Sequence, residues 1–227
     1  MVNRLYILKG LTVLYFLISI AEIVSEYFSS REIIIVFKPL LPLLIIVMYL
    51  LESTKKDMLY VAAMFFSIIT NILFTPTSEI FLYYGIFIFL IHRILIIYVL
   101  LKLNPVKDAI PFLLATAPFL LIFTYLFLET DNIPQNSYAL IIIQNILMSV
   151  LAGIALSNYV MNDNKQNSIL LISTFLFVLL QFVIFIERYF QLIELKEIFR
   201  PMAMTLNVFA FYTLFRYMIV AENLNND

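Results

Sequence analysis

The chain has 227 residues, 63% hydrophobic and 13% charged, with a formal net charge of −1. Soluble globular domains run about 45–50% apolar and about 25% charged, so this composition excludes one, and the near-neutral balance gives no reason to expect nucleic acid as a partner. With no cysteine and one histidine, His92, the chain has no disulfide, no thiolate or multi-histidine metal site and no cysteine nucleophile, and no cofactor is expected.

Polar punctuation divides the chain into eight apolar runs. The first, about Leu5–Val24, leads into Ala-Glu-Ile-Val-Ser-Glu rather than a small-x-small cleavage site, so it is expected to stay as an anchor. The second is Ile33–Leu51, closed by Glu52 to Asp57, and the third is Met58–Phe74, stopped by Thr75 to Glu79. The fourth is Ile80–Leu101, stopped by Lys102 to Asp108, and the fifth is Ala109–Leu128, stopped by Glu129 to Ser137. The sixth is Tyr138–Val160; the seventh, Ile169–Ile186, runs into a charged stretch from Glu187 to Arg200; the eighth is Pro201–Ala221. Each run is long enough for a helix to cross about 30 Å of hydrocarbon, the third only just. Barrel strands would be about half as long and would alternate polar with apolar. The prediction is an all-α polytopic membrane bundle of about eight transmembrane helices with short loops, one transmembrane helical domain over 1–227.

Lysine and arginine in the flanks set the orientation. The amino-terminal side and the even-numbered loops carry seven: Arg4, Lys9, Lys55, Lys56, Lys102, Lys107 and Lys165. The opposite side carries four: Arg31, Arg188, Lys196 and Arg200. The bias predicts both termini in the cytoplasm, in the plasma (inner) membrane.

Polar and ionisable groups inside a membrane cost free energy unless paired or hydrated, which makes them the candidates for function. Within the runs these are Glu22, Lys38, Asn71, His92, Arg93, Gln144, Asn145, Gln181, Asn207 and Arg216. Counted from the run ends, His92 and Arg93 sit near the midplane and Arg216 toward the even-loop side. All the others lie toward the face of the odd-numbered loops. Thr12, Tyr15, Ser19, Glu22 and Glu26 recur at helical spacing as one polar stripe. So do Asn145, Ser149, Ala152, Gly153 and Leu156, and again Arg200, Met204, Asn207 and Phe211. These stripes predict a polar cavity in one half of the bundle, open toward the odd-loop side; helix packing through amides and hydroxyls accounts for them as well. Lys38 is expected to snorkel, to pair with Glu22 or Glu26, or to meet a ligand phosphate. A midplane Arg93 needs a carboxylate or water, with Glu22 and Glu187 the nearest candidates by depth. Arg216 is expected to snorkel.

Phe37-Lys38-Pro39-Leu40-Leu41 at the head of the second run resembles the lysine-proline signature of the lysoplasmalogenase (YhhN-type) membrane family. Gly85-Ile-Phe-Ile-Phe89-Leu-Ile-His92 is similar to its glycine, phenylalanine, histidine pattern. Pro134, Tyr138 and Met148, then Phe177-Val178 and Tyr212, fall where the family has its later motifs. The resemblance implies eight short-looped helices and hydrolysis of the vinyl ether of lysoplasmalogens to a fatty aldehyde and a glycerophospho-alcohol. It also places carboxylates where this chain has Asn71 and Gln181, and a glutamine where Arg216 stands. An amide keeps the size and hydrogen bonding of a carboxyl but serves as neither acid nor base.

Three readings follow. The first is a member of this family with a cavity for a membrane lipid, a single-chain lysophospholipid. If it is catalytic, His92, Glu187 and Glu22 are the acid and base candidates; Lys38, Arg93, Asn145 and Asn207 hold the substrate. The second is a lysolipid-binding or regulatory protein that has lost the two acids. The third is a small transporter, for which no broken partner matching Pro39 and Pro42 is seen in the other half.

Overall fold

The computed structural model describes residues 2–28, 30–75, 78–130, 133–190 and 196–224; the middle of the seventh loop and the last three residues lie outside these. The described residues form eight α-helices and no strand. They are α1 (Val2–Tyr27), α2 (Arg31–Glu52), α3 (Met58–Leu73), α4 (Glu79–Leu103), α5 (Ala109–Leu128), α6 (Tyr138–Met161), α7 (Lys165–Tyr189) and α8 (Lys196–Leu224). Seven are long and apolar enough to cross a membrane, and α3, with 16 residues, is the short one. The chain is an integral membrane protein.

The polar residues that punctuate the runs are in large part helix caps. The side chains of Asp57, Ser78, Asp108 and Asn164 accept hydrogen bonds from backbone N–H groups in the first turns of α3, α4, α5 and α7. Hydropathy marks only the apolar length of a helix, whereas backbone hydrogen bonding runs past it. So α7 extends to Tyr189 and α8 starts at Lys196, which puts Glu187, Arg188, Glu197 and Arg200 on helices rather than in a loop.

Seven helices form a closed circuit of neighbours in the order α1, α2, α3, α4, α6, α7, α8 and back to α1. α5 stands outside it and packs chiefly on α6. The approach is close at Gly153, where an added Cβ would collide with the hydroxyl and Cβ of Thr116 on α5 and lie tight against its Cα. Relieving that collision means moving α5 as a body. Overpacking of this kind costs about 1–3 kcal/mol, so Gly153→Val should lower the thermal unfolding midpoint of the purified protein. An unchanged midpoint would show that α5 gives way freely.

A polar knot closes the even-loop end. Glu222 of α8 is buried and accepts from the hydroxyls of Tyr49 and of Ser53, the latter at 2.7 Å. The same two oxygens accept the backbone N–H groups of Asp57 at 2.9 Å and Lys56 at 2.7 Å. They thereby fix a loop in which Lys56 adopts a left-handed backbone, φ 49°. Asp57 also pairs with Lys102 Nζ at 2.9 Å. Burial raises the Asp57 carboxyl, but hydrogen bonds from Lys102 and the Leu59 N–H outweigh it, leaving the group below its ordinary range. That tie is complete above the ordinary carboxylate range and is lost as pH falls through the depressed value.

Candidate functional site

The other half of the circuit encloses a cavity of about 230 Å³. Its wall draws on the ends of α1, α3 and α7 and the beginnings of α2, α4, α6 and α8, all at the odd-loop end; α5 contributes nothing. Lys38, Asn71, Gln144, Gln181, Glu187 and Asn207 line it, as do Arg200, Met204 and Phe211 from the α8 stripe. Apolar groups such as Ile86, Phe89, Ile141 and Leu180 complete the inner wall.

Prolines shape one side. Pro42 has no N–H to give to the carbonyl of Lys38, one turn before it. Asn71 of α3 supplies the missing donor, with Nδ2 at 3.1 Å from that carbonyl oxygen. The Lys38 ammonium reaches back to α1 and pairs with Glu26 at 2.9 Å, so of its two candidate partners it takes the shallower. On the opposite wall Gln144 Nε2 donates to Gln181 Oε1 at 3.4 Å, and Gln181 Nε2 to Asn145 Oδ1 at 3.5 Å. Asn145 is thus linked to the cavity wall without lining it.

Charge collects at the mouth. Four cations, Arg31, Lys38, Arg188 and Arg200, line the cavity with two carboxylates, Glu26 and Glu187. Glu187 is held by Arg200 Nε at 3.2 Å, and Arg188 lies over the Phe74 ring at 5.6 Å. Arg31 and Arg188 form no ion pair with any described residue. From the sequence both read as flank charges; the signal that could have found them is their place one or two residues from the helix ends that meet here.

Three predicted residues are buried elsewhere. Glu22 is fully enclosed, and neither carboxyl oxygen has a hydrogen-bond partner among the described residues. His92 Nδ1 is 2.7 Å from the carbonyl oxygen of Ala63, and its ring stacks on Phe89. Arg93 does not meet Glu22 or Glu187 as its depth suggested. Its NH1 reaches the Met148 sulfur at 2.9 Å, and its guanidinium lies over Phe89 and Phe177 at 4.9 and 5.5 Å. The reason is that Glu187 is at the mouth, bound to Arg200, while α4 turns Arg93 toward α6 and α7. Arg216 does not simply snorkel either: it pairs with Glu52 at 2.9 Å.

The arrangement offers cations where an anionic head would enter, hydrogen-bonding amides on the wall, and apolar side chains further in. The two carboxylates that line it, the acid candidate Glu187 and Glu26, are both engaged by cations. A family model described as the YhhN family matches residues 33–223. No curated protein and no solved structure matches the chain. The matched stretch covers every helix that lines the cavity except α1, and by that match the chain belongs to the YhhN family.

Proposed function

We propose that the chain binds a single-chain lysophospholipid, its phosphate against the cations of the mouth and its chain leading along the apolar wall. The observation that carries this is the excess of cations over carboxylates at the mouth of a cavity whose inner wall is uncharged, of amides, hydroxyls and apolar groups. At about 230 Å³ the cavity is below the roughly 300–1,000 Å³ of drug-sized pockets, a size suited to a head and the first part of one chain. The lysine and arginine bias supports a cytoplasmic placement of both termini, with the cavity opening on the opposite face of the plasma (inner) membrane.

Glu26 and Glu187 lining the cavity favour a second reading, vinyl-ether hydrolysis of a lysoplasmalogen. In that reaction a carboxylic acid protonates the enol-ether carbon, and a carboxylate-activated water adds to the resulting oxocarbenium carbon. The hemiacetal then collapses to aldehyde and alcohol. His92 would need to leave Ala63 to take part.

The test is lysophospholipid binding to the purified full chain, with aldehyde release from a lysoplasmalogen measured alongside. Lys38→Met removes a mouth cation and strands Glu26, so binding should weaken about tenfold or more, while Lys9→Met at the other end leaves it unchanged. Equal binding by both variants would remove the cavity from consideration. Aldehyde above background that disappears in Glu187→Gln would establish the hydrolytic reading over simple binding.

A further inference from the structure

Arg93 is 2% exposed in the middle of an apolar bundle. A buried charge is tolerated when it is paired, because desolvation otherwise costs more than the surroundings return. Yet no described carboxylate reaches it. Its neighbours are a thioether sulfur, which accepts weakly, and two aromatic faces, which attract a cation without neutralising it. Its Nε has no hydrogen-bond partner among the described residues and no access to solvent.

One ring connects this cation with the cavity. Phe89 lines the cavity, and its ring also contacts the Arg93 guanidinium at 4.9 Å and stacks with His92. Phe211, also on the wall, packs edge-on against Phe177, the second ring over the guanidinium. The polar groups of the inner wall are amides and hydroxyls, Asn71, Gln144, Gln181 and Asn207 with Ser67 and Thr70, and none carries a charge that would repel an anion coming inward.

We propose that Arg93 is a deep anion subsite, screened by the Phe89 ring, which takes the carboxylate or phosphate of a single-chain anionic amphiphile. The inference rests on reading the cavity as a lipid site but carries the anionic head past the mouth cations to Arg93, with the chain trailing toward the mouth, and so makes the protein selective for anionic over zwitterionic heads. Entry of the anion displaces Phe89 from the guanidinium and replaces a cation–π contact with an ion pair. A carboxylate and a phosphate monoester both satisfy this chemistry.

The experiment compares oleate, oleoyl lysophosphatidate and oleoyl lysophosphatidylcholine as probes of the purified full chain, with wild type, Arg93→Met and Phe89→Ala. Thermal unfolding is recorded in parallel. Arg93→Met should lower affinity for the two anionic probes about ten- to a hundredfold and leave the zwitterionic probe within about threefold. Its unfolding midpoint should stay level or rise, because an unpaired buried charge has been removed. A subsite shaped for one head group shows the loss with oleate alone or with lysophosphatidate alone, and either supports the inference. Phe89→Ala should strengthen anionic binding by opening the screen. Unchanged anionic affinity in Arg93→Met overturns the inference, as does an equal loss for all three probes with a lowered midpoint, which marks a packing residue. Wild type that binds none of the probes fails the lipid reading itself and the subsite with it. Wild type that binds all three alike, with Arg93→Met the same, fails only the subsite.

Discussion

Asn71→Asp combined with Gln181→Asp should raise aldehyde release from a lysoplasmalogen by about 10²–10⁴-fold over the parent chain, the range that positioned acid–base groups contribute. The expectation comes from where the two amides sit. Both line the one cavity, on opposite walls, α3 and α7. Asn71 donates to the Lys38 carbonyl that Pro42 leaves without its helical partner. A carboxyl at position 71 keeps that bond only by holding a proton, because an ionised carboxylate would face a carbonyl oxygen with nothing to donate. The surroundings therefore favour a proton-bearing acid at that point. At position 181 aspartate is one methylene shorter than glutamine, so its carboxylate draws back from Gln144 Nε2, now 3.4 Å from the amide oxygen, and is left to serve as the base for water. The double variant is the informative one, since an acid without a base, or the reverse, supplies half of the reaction. Aldehyde production no higher than in the parent, with lysolipid binding intact, would show that these walls do not hold the reacting bond between them.

Glu222→Ala is expected to cost about 2–5 kcal/mol of stability, the largest loss for a single truncation outside the apolar core. Two hydroxyls, those of Tyr49 and Ser53, would lose the acceptor they share, and each stranded buried donor costs about 1–3 kcal/mol. The damage would spread, because the same hydroxyl oxygens fix the Asp57 and Lys56 backbone. Glu222→Gln keeps one acceptor oxygen and should lose less than half as much. Thermal or denaturant unfolding of the three proteins checks this; equal midpoints for wild type and Glu222→Ala would mean the loop carries itself. Lysolipid binding should change little in either variant, since the knot is at the far end from the cavity.

The helix count and the bounds of α2 to α6, to within two residues, follow from the apolar runs, because caps such as Asp57 and Asp108 are also polar residues that interrupt those runs; α1, α7 and α8 extend three to five residues past theirs. The neighbour order does not. α5 is as apolar as the helices inside the circuit, and hydropathy cannot tell a face that meets lipid from one that meets another helix. The site was half legible for a related reason. Intramembrane amides and ions are costly wherever they point, so their depth along each helix could be counted, and Lys38, Asn71, Gln181 and Asn207 do meet. Direction is harder. His92 and Arg93 point about 100° apart, and each met carbonyl, sulfur or aromatic faces that no charge pattern announces. Glu222 escaped notice because it follows the last apolar run and reads as tail.

The exclusion of α5 also settles a question of parity. Helices that alternate in direction close into a ring without conflict only when their number is even, and this ring has seven. One pair of neighbours must therefore run the same way, and it is α4 with α6, joined through the excursion of α5. Within the ring, four helices begin at the cavity end and three finish there. The positive poles of the backbone dipoles, about half a charge each, outnumber the negative poles by one around the mouth. The main chain thus leans the same way as the arginines, toward an anion.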